Sequence, residues 1–303
     1  MCCLRAVAGG PGCAPAVGVP AAVRPDVASG PAPLNRARTT RIPWWASAPS
    51  TLLVVFLILP LAGLLLRAAN LDAMVRALGR PVVLDALRLS LLTTLAVLVL
   101  SVVLGSPLAL LLARSRGPLA TAVDTLVDLP IVLPPAVAGI ALLLTLGRRG
   151  VLGGVLSVFG VEIPFTTGAV VLAELFVAAP FYVRAARSGF LAVPAEVEDA
   201  ARVDGASPWQ VFRAVSVPLA APSLLGGAVL CWARALGEFG ATIMFAGSFQ
   251  GRTQTMPLAI YAALESDLDA AVATSVLLLL AALAVLLFLR FVTRGATTPL
   301  HRS

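Results

Sequence analysis

The sequence predicts an all-α integral membrane protein with six transmembrane helices and both termini on the cytoplasmic side. Three observations lead there. Only 12% of the 303 residues are charged and 59% are hydrophobic, whereas soluble domains carry about a quarter charged residues. Six apolar runs each reach the roughly 20 residues that a helix needs to cross a hydrocarbon core. All 22 basic residues are arginine, because the chain has no lysine, and they flank those runs unevenly.

Residues 1–45 are rich in Ala, Pro and Gly and lack apolar periodicity. That predicts a disordered cytoplasmic tail, and no sustained apolar stretch follows Arg5 as a secretory signal would require. The first helix is expected over 46–66, uncharged until Arg67. The second covers 89–113 and stops at Arg114-Ser115-Arg116. The third, 119–147, carries Asp124 and Asp128 in its opening turns and is interrupted by Pro130, Pro134 and Pro135. The fourth, 166–186, contains Glu174 and Pro180. The fifth and sixth are expected over 219–239 and 270–291, leaving a cytoplasmic loop at 187–218 and a tail at 295–303. With the N-terminus inside, fourteen arginines fall on the cytoplasmic side and seven outside, Arg234 lying within the fifth helix. This is the bias that the positive-inside rule expects. The net charge of +7 therefore reads as topology and not as a nucleic-acid patch.

Several function classes drop out. Cys2, Cys3 and Cys13 sit near the start and Cys231 in an apolar run, so neither a disulfide framework nor a CxxC metal pair is formed. Cys231 reads as a small apolar packing residue. The single histidine, His301, stands two residues from the end, which excludes a His-based catalytic or metal centre. A membrane-embedded enzyme would need a Ser–His pair, facing aspartates or an HExxH run, and none is present. A phosphate-binding P-loop needs its lysine, so if transport is nucleotide-driven, the ATPase is a separate polypeptide.

The loop at 187–218 is a polar island between apolar runs. Glu196 to Asp204 predicts a short helix, which Gly205 can end in a left-handed conformation. Ser207 is a good N-cap, Pro208 suits the first helical position and Gln210 completes a capping box. A second helix carries Val211, Phe212, Val215 and Val217 toward Pro218. Two readings fit these local features: an ordinary well-capped loop, or a docking element on the inner membrane face.

The spacing Asp199-Ala200-Ala201, Gly205, Val215, Val217-Pro218 resembles the EAA loop of ATP-binding-cassette importer permeases, with Asp199 where that family usually has Glu and Glu198 adjacent. The stretch RALGEFGATIMFAGSFQGRTQTMPLAIY, Arg234 to Tyr261, resembles molybdate permeases, with sulfate and tungstate permeases as near relatives. The broken third helix, LPIVLPPAVAGIALL, is similar to the same family. The resemblance implies a type I importer permease fold in a bacterial cell membrane. It implies a homodimer working with two ATPase subunits and an extracytoplasmic oxyanion-binding protein. ATP and Mg would then be bound by the ATPase, with no cofactor or metal on this chain. It assigns ATPase coupling to Glu198, Asp199, Ala200, Ala201, Gly205 and Pro218. Molybdate is the implied substrate, with sulfate or tungstate as alternatives. A self-sufficient channel or secondary transporter is a more distant one, since it would show paired broken helices in inverted repeats and only the third helix here is plainly broken.

The candidate translocation path is Arg234, Glu238, Thr242, Ser248, Arg252 and Thr253. Arg234 and Glu238 are four apart, share a helical face and can pair, either as a structural ion pair or as an intramembrane functional site. Thr242, Ser248, Arg252 and Thr253 supply hydrogen-bond donors through which an oxyanion could pass without being trapped. Gly237, Gly240, Gly247 and Gly251 mark a segment that bends, as a gate or as a re-entrant turn.

Overall fold

A computed structural model describes residues 44–67, 75 and 79–296, without the side chains of 44, 46 and 288–296. The expected tails at 1–45 and 295–303 lie mostly outside the described residues. All regular structure in the described residues is helical: α1 (Trp44–Arg67), α2 (Pro81–Arg114), α3 (Pro118–Val132), α4 (Pro135–Leu146), α5 (Gly153–Val158), α6 (Thr167–Leu191), α7 (Ala195–Val203), α8 (Pro208–Val211), a π-helical turn (Phe212–Ser216), α9 (Val217–Leu236), α10 (Gly240–Phe245), α11 (Met256–Leu264) and α12 (Leu268–Ala296). The chain divides into two compact units, Met1–Val55 and Phe56–Ser303, the division falling inside α1.

Five helical stretches are long and apolar enough to cross a membrane, and a sixth is obtained if α3 and α4 form one broken span. Between them the chain turns by 117°, far more than a kink. The cause is local. Pro134 and Pro135 supply no N–H groups, and a residue before proline is pushed out of the helical region. Leu133 and Pro134 are accordingly extended, with ψ of 134° and 133°.

α6 is the central span, 56% of its apolar window being buried against 28% for α2 and α12. Its N-terminus is capped by Thr166, whose Oγ1 accepts from the Ala169 amide at 3.2 Å. Tyr182, Val183, Ala186 and Phe190 of α6 pack with Val97, Ala109 and Leu112 of α2 and with Ala220, Cys231 and Ala235 of α9. Cys231 is the apolar packing residue expected of it, its Sγ 3.3 Å from Ser101 Oγ. Small residues dominate these contacts because lipid offers helices no hydrophobic reason to associate, so close backbone approach must supply the attraction.

A second cluster joins Ala138 of α4, Ala169, Val170, Ala173 and Val177 of α6, and Ala241 and Phe245 of α10. Here Gly139 is required: a Cβ at that position would lie 2.7 Å from the Ala241 carbonyl oxygen.

The fifth span differs from the expected 219–239. It starts at Pro208 and runs unbroken to Leu236, passing through the π-turn. Pro218 cannot donate to the carbonyl one turn back, and its ring crowds that carbonyl. The widened turn, in which the Val217 amide bonds to the Phe212 oxygen, accommodates it without ending the helix. At the other end the helix stops at Leu236, before Glu238. The sixth span extends from Leu268 to Ala296, beyond the expected 270–291.

Candidate coupling and translocation site

α7 begins with Glu196 and Glu198 in its first turn, where acids favour the positive end of the helix dipole. It ends at a Schellman corner. The Ala206 amide bonds to the Ala201 oxygen and the Gly205 amide to the Arg202 oxygen, both at 3.0 Å, and Gly205 has φ +88°. Next comes the expected capping box. Ser207 N donates to Gln210 Oε1 at 2.7 Å, and Gln210 N donates to Ser207 Oγ at 3.4 Å. The two short helices are thus joined by a corner in which local hydrogen bonds occupy the free ends of both.

The residues assigned to coupling do not share one face. Asp199 and Ala200 are exposed and Ala201 is half-buried; Val203 beyond them is 86% exposed and Trp209 on α8 is 65% exposed. Glu198 points the other way and is 4% exposed. Its Oε1 accepts from Arg114 Nη2 at 2.5 Å and from Ser216 Oγ at 2.7 Å, and its Oε2 faces Arg202 Nη2 at 3.5 Å. A buried carboxylate left without its partner costs about 3–5 kcal/mol, so this arrangement fixes α7 against the end of α2 and against the π-turn. Among the described residues Asp199 pairs with Arg202 alone, on the surface. Pro218, itself exposed, sits at the second position of α9, after the π-turn.

Arg114 and Ser216 were not singled out by the sequence. Neither belongs to the local motif, and an arginine at a helix end reads as a topology signal. Two further pairs tie α3 to the same end of α6: Arg184 Nε lies 2.6 Å from Asp128 Oδ1, and Arg187 Nη1 lies 3.0 Å from Asp124 Oδ1.

The second group forms around the chain break after α9. Arg234 Nη1 lies 2.6 Å from Glu238 Oε2, the pair that the spacing predicted, although Glu238 stands beyond the end of the helix. Glu238 is 2% exposed and its other oxygen accepts from the Ala241 amide at 2.8 Å. It thereby joins α9 to α10. Thr242, one turn on, is fully buried and its hydroxyl has no hydrogen-bond partner among the described residues. The same is true of the Thr255 hydroxyl and of Glu174 Oε2, while Glu174 Oε1 accepts from Thr93 Oγ1 at 3.1 Å. Ser90 Oγ of α2 accepts from the Met256 amide at the start of α11 at 2.7 Å. Ser90, Thr93 and Thr94 form a polar stripe with helical spacing in an otherwise apolar run, a signal that was present in the sequence.

Ser248, Arg252 and Thr253 lie on the turn between α10 and α11, where Gly247 and Gly251 have φ of +69° and +71°. Its flanking helices, six and nine residues long, are too short to span a membrane. Thr253 is fully buried, accepting from the Phe249 amide at 3.0 Å and donating to the Gly247 oxygen at 3.3 Å, so its hydroxyl closes the turn. Ser248 and Arg252 are exposed. Arg252 borders a cleft of about 450 Å³ with Arg148, Glu162, Phe165 and Thr166. Within it Arg148 is paired with Glu162, whereas among the described residues no carboxylate lies within ion-pair distance of Arg252. The six path candidates therefore divide into a buried junction (Arg234, Glu238, Thr242) and an outer turn (Ser248, Arg252, Thr253). Among the described residues no three His, Cys, Asp or Glu side chains are grouped to hold a metal ion.

Residues 105–297 match the family described as binding-protein-dependent transport system inner membrane component. The molybdenum transport system permease proteins ModB of Mycobacterium bovis and Mycobacterium tuberculosis are each 43% identical over 261 residues, covering 86% of this chain and 97% of the relative. The molybdate/tungstate transport system permease protein WtpB of Thermococcus kodakarensis is 40% identical over 201 residues, 66% of this chain and 76% of its own. Among solved structures, a bacterial ABC transporter involved in alginate import aligns with a TM-score of 0.70 over 84% of this chain and 96% of that one. Its 19% identity makes it a likeness of fold. With its described residues helical, one broken span, a capped polar element between two spans and these relatives, the chain has one placement: it belongs to the family of binding-protein-dependent transport system inner membrane components, as a multi-pass membrane permease similar to the molybdenum transport permeases.

Proposed function

We propose that this chain is the permease subunit of an ATP-driven molybdate importer, passing the oxyanion from an extracytoplasmic binding protein to the cytoplasm. The observation that carries the reading is the 43% identity to molybdenum permeases over nearly their whole length. The complex contains two copies of this chain and two ATPase subunits, and the ATPase subunits bind ATP and Mg. This chain has no lysine for a P-loop, so it does no hydrolysis of its own by that route.

In this reading the exposed side of α7, with Asp199, Ala200 and Val203, enters the ATPase groove together with Trp209 of α8. Small Ala200 permits close approach, and the two exposed apolar side chains gain by leaving water. The Gly205 corner keeps α7 and α8 at a fixed angle, so a push on α7 is delivered through the π-turn to α9. At the far end of α9 stands the junction of Arg234 and Glu238, on which α10 is hung. The gate is the segment from Gly237 to Thr255. Arg252 and Ser248 meet the dianion on its outer side with donors that hold it weakly enough to release it, and Thr253 maintains the turn that carries them. The Thermococcus relative's molybdate/tungstate designation supports tungstate as a second substrate, since both anions are tetrahedral dianions of nearly the same size.

The test is genetic. Deleting the gene should impair molybdate-dependent enzymes at low external molybdate, with recovery at high molybdate through other routes and with sulfate growth unaffected. A deletion strain that became a sulfate auxotroph and took up molybdate normally would refute the substrate while leaving the permease reading intact.

A further inference from the structure

The Glu198 carboxylate belongs to the coupling element by sequence, yet it is buried within this chain, opposite the exposed side of α7. Three side chains from three directions converge on it: Arg114 from the last turn of α2, Ser216 from the π-turn, and Arg202 from α7 itself. Arg114 and Glu198 are 84 residues apart. The close backbone neighbours of α7 are α8 and the π-turn, so the Arg114–Glu198 pair is a side-chain link from α7 to a span that the chain does not join to it directly.

From this we infer that Glu198 is a positioning residue that makes α2 move with the coupling helix. The argument is one of desolvation. Separating α7 from the end of α2 would strip a 4% exposed carboxylate of its 2.5 Å guanidinium and leave it only Arg202, 3.5 Å away and itself half-exposed, and an under-compensated buried charge is the costly state. The low-energy way for α7 to move is therefore to take Arg114, and with it α2, along. Ser216 gives the same carboxylate a grip on the base of α9, at the turn whose hydrogen-bond register already departs from the α-helix. A displacement of α7 is thus shared between α2 and α9, the two spans that pack on central α6 in the main core. Asp199 and its neighbours face outward, and Glu198 distributes what they receive. This inference rests on the ATPase-driven reading above.

The experiment uses the complete importer, permease with its ATPase and binding protein, in lipid vesicles, and reads molybdate delivered per ATP hydrolysed. Arg114→Gln and Glu198→Gln should each lower that ratio by about tenfold, within the span of ordinary coupling energies. Arg114→Lys, which keeps the cation, should retain most of it. The double variant should be no worse than the worse single one, because both remove the same link. The inference is overturned if the ratio is unchanged in both single variants, if their effects multiply in the double, or if Arg114→Lys is as impaired as Arg114→Gln. It is also overturned if Arg114→Gln merely prevents assembly while whatever complex forms keeps its ratio, since the pair would then serve folding alone. Should the wild-type complex fail to transport molybdate with ATP, the functional reading fails instead, and the variants are not what decides it.

Discussion

Replacing Gly205 isolates the contribution of one backbone angle. No atom lies within 4 Å of the position that a Cβ would occupy there, so a side chain meets no steric obstacle. What remains is φ of +88°. An L-residue in the left-handed region costs about 1–2 kcal/mol, a β-branched one roughly 2–3 kcal/mol, and Asn less than either because its short polar side chain tolerates the region. At stake are the two 3.0 Å bonds that close the corner, Ala206 N to Ala201 O and Gly205 N to Arg202 O. A strain of 2–3 kcal/mol shifts the balance between closed and open corner by roughly 30- to 150-fold, enough to free α7 from α8. Molybdate uptake, normalised to the amount of assembled complex in the membrane, should therefore fall in the order Gly, Asn, Ala, Val. Assembly should be unaffected, since no apolar span is altered. Normal uptake in Gly205→Val would remove the corner from the mechanism. An Asn variant as poor as Val would mean that something other than φ is responsible.

Gly139→Ala should lower the thermal stability of the detergent-solubilised complex by about 1–3 kcal/mol. The added carbon would stand 2.7 Å from the Ala241 oxygen and 2.9 Å from the Ala241 Cα, and backbone cannot give way as a flexible side chain does. An unchanged melting temperature would show that α10 is free to shift off α4. Topology is checked by reporter fusions: within 115–117 and after Arg302, which lies outside the described residues, the reporter should read cytoplasmic, and within 148–165 external. An external reading after Arg302 would break the six-span arrangement.

The membrane spans, the short capped helices and the absence of a P-loop were legible in the residues themselves. Each depends on chemistry that is local or compositional: runs of apolar side chains, a glycine where φ must be positive, a Ser-Pro-x-Gln set that satisfies its own helix end. The spacing of four also anticipated the Arg234–Glu238 pair, although the helix ends at Leu236 and the pair is made across that end.

Tertiary structure decided the rest. Two prolines dictate that α3 must stop and that Leu133 and Pro134 are extended, but which helices α4 then packs against, namely α10 and α6, is decided by the tertiary structure. Thr253, taken from sequence as a donor for substrate, closes its own turn, a use fixed by how the backbone of 247–253 folds back. Above all, Glu198 and Asp199 are adjacent acids whose side chains leave the helix roughly 100° apart. Nothing within α7 says which one is buried. Arg114 and Ser216 decide it, one from a distant span and the other from the π-turn just before Pro218.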